Sequence, residues 1–191
     1  MVSLYDIFYV IGTKGEIRAS EIVEALHKPK TEYKSIFNHV MELEKQGYVK
    51  KDKTVRVIHN EKSSKLFNLI SFCVNNGMNY NLLLKKNMLD FLQKAAKKEF
   101  FTISDIKIHS QTFNLYTDSL SKYGFLLIVS RKPLKCKLLR HHFLIDLMKF
   151  FNRELKFYIS KQNSFIKEIE KELRKYRRNL KIHYTVIQNF E

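Results

Sequence analysis

Apolar residues at the start of the chain recur at intervals of three and four, the spacing of one face of an α-helix. The first such set is Leu4, Ile7, Phe8 and Ile11. Ser3 and Asp6 can form a capping box at the start of this segment, and Gly12 and Gly15 are expected to close it. We therefore predict a first helix that begins after Ser3 and ends at these two glycines.

The same periodicity predicts two more helices before position 47. Residues 20–26 form a short one, with Ile22, Val23 and Leu26 on its inner side. Thr31 is a good N-cap for the next helix, which ends at Gly47. The inner positions of this third helix are Ile36, Phe37, Val40 and Leu43.

Residues 48–58 have a different pattern. β-Branched and basic residues alternate around a polar centre, Asp52 and Lys53. This alternation is typical of two short strands joined by a tight turn, so we predict a β-hairpin.

Three helices followed by a hairpin resemble the winged helix-turn-helix domain of prokaryotic regulators. The resemblance covers about the first 60 residues, and its most specific part is the string LEKQGYV. In that family the glycine ends the DNA-recognition helix and the following aromatic residue, here Tyr48, enters the core. The chain departs from the family at Arg18, where a Ser or Thr cap is usual. Acidic side chains, Glu32, Glu42 and Glu44, also lie on the helix that the resemblance assigns to DNA.

The pattern then recurs further along the chain. Its predicted elements are helices at residues 88–96, 103–108 and 110–123 and strands at 125–129 and 134–139. Thr102 and Asp105 can cap the short helix, and the long one ends at Gly124. Leu43, Gly47 and Tyr48 correspond to Leu120, Gly124 and Phe125, each 77 positions further along. This recurrence predicts a second winged-helix-like domain.

The rest of the chain is also predicted to be helical. Residues 64–76 are apolar on nearly all sides, as in a helix packed between two domains. A later helical stripe consists of Leu144, Leu147, Met148, Phe151 and Leu155. We therefore expect a mainly α protein with small hairpins (α+β). Its parts are a winged helix at 1–62, a linker helix and turn at 63–86, a second winged-helix-like domain at 87–140 and C-terminal helices at 141–191.

Composition adds a strong positive charge to this picture. The 191 residues carry 35 Lys and Arg against 19 Asp and Glu, a net charge of +16. The excess is densest in residues 81–140, with 12 basic and 4 acidic side chains. Such a chain is expected to attract a polyanion such as DNA, RNA or an anionic membrane, and the winged helix-turn-helix resemblance implies double-stranded DNA as the partner. The N-terminus has no basic leader or cleavage site, and five asparagines interrupt the uncharged run at 66–84, so we expect a cytoplasmic protein and no membrane partner.

The resemblance also indicates which side chains would touch DNA. Base contacts are expected from the exposed early positions of each third helix. In the first copy these are Thr31, Lys34, Ser35, Asn38 and His39, and in the second they are Gln111, Thr112 and Asn114, with Thr117 as a further polar position. Asn38 can pair bidentately with an adenine edge. The alternative is that these residues simply form a solvated helix face.

Basic residues crowd the two hairpins, where they are suited to contact phosphates. The first set is Lys50, Lys51, Lys53 and Arg56, and the second is Arg131, Lys132, Lys135 and Lys137. Because the charge is densest in the second copy, this copy is expected to supply affinity while the first supplies base contacts.

The chain lacks the sequence motifs of common catalytic sites. It has no GxxxxGK, GxGxxG, HExxH or GxSxG string, so we expect no enzymatic activity and no cofactor. Cys73 and Cys136 have no disulfide or zinc spacing. His141 and His142 are adjacent, and side chains one residue apart on a helix diverge by about 100°, so no metal site is expected.

The overall layout is also similar to the region preceding the catalytic domain of archaeal Fic-family proteins. The Fic catalytic pattern requires Gly-Asn after its histidine and acid, but the matching segment here is HHFLIDL. The resemblance therefore implies a stand-alone regulatory half without AMP transfer. A protein-binding scaffold is accordingly the alternative to a DNA-binding regulator.

A final apolar stripe has heptad-like spacing and predicts a contact with another helix. It consists of Ile166, Ile169, Leu173, Tyr176 and Leu180. An antiparallel homodimer through this stripe is one interpretation, because it brings glutamates opposite basic residues. The alternative is that the stripe folds back on residues 143–155 of the same chain.

Overall fold

The computed structural model describes residues 2–158. This part of the chain is mainly helical with two small antiparallel sheets, as the sequence predicts. The predicted dimerisation residues of the C-terminal stripe lie outside the described residues.

The first unit contains three helices and three short strands. Its elements are α1 Leu4–Lys14, β1 Glu16–Ile17, α2 Ala19–Ala25, α3 Tyr33–Lys45, β2 Val49–Lys51 and β3 Val55–Val57. The capping box of Ser3 and Asp6 is confirmed, as is the hairpin. The strands pair antiparallel in the order β1-β3-β2, and β1, only two residues long, was not predicted.

The second unit repeats this order. Its elements are α6 Lys86–Ala96, α7 Ile103–Ile106, α8 Ser110–Lys122, β4 Leu126–Arg131 and β5 Leu134–Leu138. The predicted capping box of Thr102 and Asp105 is confirmed. Phe101, between α6 and α7, pairs with Cys136 on β5 through two backbone hydrogen bonds of 2.8 and 2.9 Å. Phe101 therefore takes the place in this unit that β1 takes in the first.

The junction between the long helix and the hairpin is the same in both units. Gly47 and Gly124 follow α3 and α8 with φ of 77° and 72°, a conformation that favours glycine. The N–H of Tyr48 then donates to the carbonyl of Leu43 at 2.9 Å, and that of Phe125 to Leu120 at 2.8 Å. Both aromatic residues are buried, so the repeat seen in the sequence extends to its backbone hydrogen bonds.

Three further helices connect or follow the units: α4 Glu61–Asn75, α5 Tyr80–Leu83 and α9 His142–Phe150. Asn60 caps α4 by accepting from the N–H of Ser63 at 2.8 Å. α4 packs against α1 of the first unit and against α9, which follows the second. It is not enclosed on nearly all sides, as its sequence predicts, because Phe72 and Val74 are exposed. One core cluster runs through both units and α4.

A polar network joins the start of α1 to α5. The Asp6 carboxylate accepts from the Tyr80 hydroxyl at 2.5 Å, from the Asn81 amide at 2.9 Å and from the backbone N–H of Ser3 at 2.8 Å. Burial alone would raise the pKa of Asp6, but the hydrogen bonds from Tyr80, Ser3 and Asn81 outweigh it and hold the pKa below its ordinary value.

The structure corrects the predicted ends of three helices. α7 ends at Ile106 and not at residue 108, because Lys107 is left-handed with a φ of 59°. Thr31 is not the N-cap of α3: it lies in a 3-10 turn, Lys30–Glu32, closed by a bond from the N–H of Glu32 to the carbonyl of Pro29, and the helix begins at Tyr33. Gly12 does not close α1, which continues to Lys14.

The predicted helix through Leu155 is also wrong beyond Phe150. Asn152 has a φ of 54°, and an extended segment follows it. Arg153 binds the side chains of Asp90 and Gln93 on α6. The apolar spacing continues past the helix because the extended segment packs along α6, with Leu155 and Phe157 partly buried.

Gly12 leads to a stability prediction. A Cβ at this position would lie 2.5 Å from Cε2 of Phe67, whose ring also stacks on Tyr9. Glycine to alanine in a helix usually stabilises by about 0.5–1 kcal/mol. We expect Gly12→Ala instead to destabilise by about 1–3 kcal/mol, because the ring has to move. Urea unfolding measures the change. A Gly12→Ala protein more stable than the wild type contradicts the packing, and adding Phe67→Leu should remove most of the effect of the alanine.

The Asp6 network predicts a pH dependence. Because its pKa is lower in the folded state, the ionised carboxylate stabilises the fold fully above the unfolded pKa of about 3.9. This contribution is lost as the pH falls through the folded pKa. Asp6→Asn should cost about 1–3 kcal/mol at pH 7, and the difference from wild type should shrink below about pH 4. Urea unfolding at several pH values measures this, with the exposed Asp118→Asn as control. A cost that does not change with pH contradicts the role of the charge.

Candidate nucleic-acid interface

The outer face of α3 carries the predicted base-contacting residues of the first unit. Lys34, Ser35 and Asn38 are exposed on the helix, and Thr31 is exposed in the turn before it. His39 is only partly exposed. The inner face is Ile36, Val40 and Leu43, all fully buried. Phe37 was wrongly predicted to be inner: it is only partly buried and stacks on Tyr33. The burial therefore leaves one polar face of α3 open to solvent.

The first hairpin places three of its four predicted cations in solvent: Lys50, Lys53 and Arg56. Lys50 lies 3.6 Å from Asp52, an exposed pair that contributes little to stability. Lys51 differs, because its backbone N–H donates to Oε1 of Glu44 at 2.9 Å and its Nζ lies 5.2 Å from the centre of the Phe37 ring. Lys51 therefore fixes the hairpin against α3.

The hydrogen bond from Lys51 gives a structural role to Glu44, one of the acidic residues on α3. Glu44 accepts from Lys51 and is directed towards the hairpin. Glu42 accepts from the side chain of Gln46 at 2.6 Å on the exposed surface. The acid nearest the hairpin thus has a structural partner.

The second unit presents a less polar helix. Gln111 and Asn114 are exposed on α8, and Thr112 is partly exposed. Thr117 was also considered as a polar contact, but it is fully buried and its hydroxyl donates to the carbonyl of Phe113 at 2.9 Å. Leu115, 54% exposed, lies 77 positions after Asn38 and so takes its place on the outer face.

The second hairpin carries four basic side chains, as the first does, but no acidic one. Arg131, Lys132 and Lys135 are exposed, and Lys137 is partly buried. The Nζ atoms of Lys135 and Lys137 lie 4.8 and 5.4 Å from the centre of the Phe100 ring, within the range of a cation–π contact. Sequence reasoning missed Phe100, because nothing in the pattern shows that β5 passes beside it.

A cleft of about 350 Å³ separates the tip of this hairpin from the helices of the second unit. Asn114 on α8 and Pro133 and Leu134 at the hairpin turn line it. The structure therefore brings one predicted base-contacting residue next to the predicted backbone-contacting turn. In both units, the long helix and the hairpin form adjoining surfaces.

Metal binding and thiol reactivity are two further kinds of chemistry that the described residues bear on. No group of three or more His, Cys, Asp or Glu in residues 2–158 is placed to hold a metal ion. Burial raises the pKa of Cys73 to about 12 and, with the nearby Asp118 charge, that of Cys136 to about 11, so neither thiol is activated as a nucleophile. Within the same range of residues, no helix is both long and apolar enough to cross a membrane.

Comparison with known proteins identifies no relative. No protein-family model matches the chain, and neither a curated protein nor a solved structure is significantly similar to it.

Proposed function

We propose that the two units are winged helix-turn-helix domains and that the protein binds double-stranded DNA as a transcriptional regulator. The observation that carries this proposal is the pairing, in each unit, of an open helix face with a hairpin that carries exposed cations. A helix of this width fits the major groove, and an adjacent basic hairpin is placed to touch phosphates.

The two units contribute differently in this proposal. α3 has a lysine, a serine and an asparagine on its open face, which can donate to and accept from base edges. α8 presents no cation over the corresponding positions, although its hairpin carries three exposed cations, as many as the first hairpin. The first unit would therefore supply sequence discrimination, and the second mainly phosphate contacts.

A protein-binding scaffold is the second candidate function, and one feature of the second unit favours it. Leu115 on α8 and Leu127 and Val129 on β4 are 54%, 53% and 46% exposed. Exposed apolar side chains on a helix and a neighbouring strand are suited to bind another protein, whereas they gain little from contact with a phosphate backbone.

The first prediction of the DNA proposal concerns salt. Purified protein should bind a duplex with an affinity that falls steeply as salt rises, because each neutralised phosphate releases condensed counterions, with a slope of about −0.9 per contact on logarithmic axes. Fluorescence anisotropy of a labelled duplex measures this. Absence of binding at about 50 mM salt would contradict the proposal and favour the scaffold.

The second prediction separates base contacts from phosphate contacts. Asn38→Ala should cost about 1–3 kcal/mol on a preferred sequence and little on other duplexes. Lys132→Ala should weaken binding to all duplexes alike and reduce the salt slope by about one. The exposed Lys86→Ala on α6 is the matched control and should change neither. If Lys86→Ala weakens binding as much as Lys132→Ala, the hairpin has no special role and binding follows net charge alone.

A further inference from the structure

An open apolar groove lies between α4 and α9. Its volume is about 650 Å³. Leu69 and Phe72 line it from α4, and Phe143 and Phe150 line it from α9. The rings of Phe72 and Phe143 stack with centres 4.7 Å apart, and Phe72 remains 36% exposed. Exposed aromatic surface of this kind usually marks a place where another element packs.

The rim of the groove is mainly basic. Lys65 on α4 and Lys149 on α9 lie along it, together with His141 and His142. Among the described residues that line it, Asp146 is the one carboxylate. An occupant with an apolar stripe bordered mainly by acids would therefore match both the floor and the rim.

The C-terminal sequence of the chain contains such a stripe. Successive residues of an α-helix are about 100° apart around its axis. With this spacing, one side of a helix would carry Ile166, Ile169, Leu173, Tyr176 and Leu180. Glu170 and Glu172 then lie about 80° to either side of the centre of the stripe. Most of the basic residues fall on the far side: Lys167, Lys171, Arg174, Lys175 and Arg178. Arg177 is the one cation beside the stripe, about 60° from its centre.

The described chain ends at Tyr158, beside Leu138 at the end of β5. The N–H of Tyr158 donates to the carbonyl of Ala96 at 2.7 Å, and Tyr158 lines a small cavity with Leu138. His141, on the rim of the groove, comes three residues after Leu138, a span of at most about 11 Å. The seven residues between Tyr158 and Ile166 can cover up to about 25 Å. The stripe can therefore reach the groove of its own chain.

We propose that residues 166–180 pack in the α4–α9 groove of the same chain. A tether of seven residues gives an effective concentration in the millimolar range, so this intramolecular contact outcompetes the same segment of a second copy at ordinary protein concentrations. The contact covers Phe72 and places the basic far side of the segment on the surface. It does not depend on whether the protein binds DNA.

Photo-crosslinking of the full-length protein tests the proposal. A photoreactive phenylalanine replaces Phe72, and peptide mass spectrometry identifies what it captures. We expect cross-links to residues 165–181. The same residue at the exposed Leu115 on α8 is the control and should capture none of this segment.

An equal mixture of light and heavy isotope-labelled chains distinguishes the two sources of the segment. If every cross-link joins two peptides that carry the same label, the segment comes from the same chain and the proposal is supported. Mixed-label cross-links would show that a second copy supplies the segment, and absence of cross-links to it would show that the groove has another occupant or none. Either result overturns the proposal.

A matched pair of substitutions gives a second readout in the full-length chain. Leu173→Asp, on the stripe, should expose the groove, raise the fluorescence of an apolar dye at least twofold and abolish the cross-link from position 72. Lys171→Asp, on the far side, should change neither. If both variants keep the wild-type dye signal and cross-link, the stripe does not hold the segment in place and the proposal is wrong.

Discussion

The left-handed glycine at the end of each long helix is the constraint on which the rest of the structure depends. Gly47 and Gly124 reverse the chain with positive φ, so that Tyr48 and Phe125 turn into the core. The hairpins are then fixed by one more equivalent bond, from Ile58 to the carbonyl of Tyr48 and from Leu139 to that of Phe125, both 2.9 Å. Because the helix end and the hairpin are held together in this way, one face of each long helix stays open beside a basic projection.

Local signals in the sequence predicted much of this arrangement. Capping boxes and glycine-ended helices depend on a few neighbouring residues, and so they can be found without knowing the fold. Thr31 shows the limit of such signals. It is a residue type that often caps helices, but here it lies inside the 3-10 turn that follows Pro29, and α3 begins two residues later. β1 could not be predicted because two residues carry no detectable alternation.

Features that depend on distant partners were the ones that sequence reasoning missed. Leu155 continues a helical spacing, but Arg153 binds Asp90 on α6 and draws the segment into an extended path. Thr117 is polar and was considered a surface residue, yet it takes the buried position of Val40 and satisfies its hydroxyl within the helix. The place of Phe100 beside Lys135 and Lys137, and the groove between α4 and α9, likewise arise only when separate parts of the chain come together.

The central claim is that the open helix faces and the basic hairpins form the DNA-binding surface, and backbone amide NMR shifts during titration with a duplex test it most directly. The largest shifts are expected on residues 34–39 of α3 and on the turns at 52–53 and 131–133, while the amides around Phe72 and Val74 on α4 stay unchanged. Shifts confined to the α4–α9 groove, with α3 and both hairpins unaffected, would contradict it.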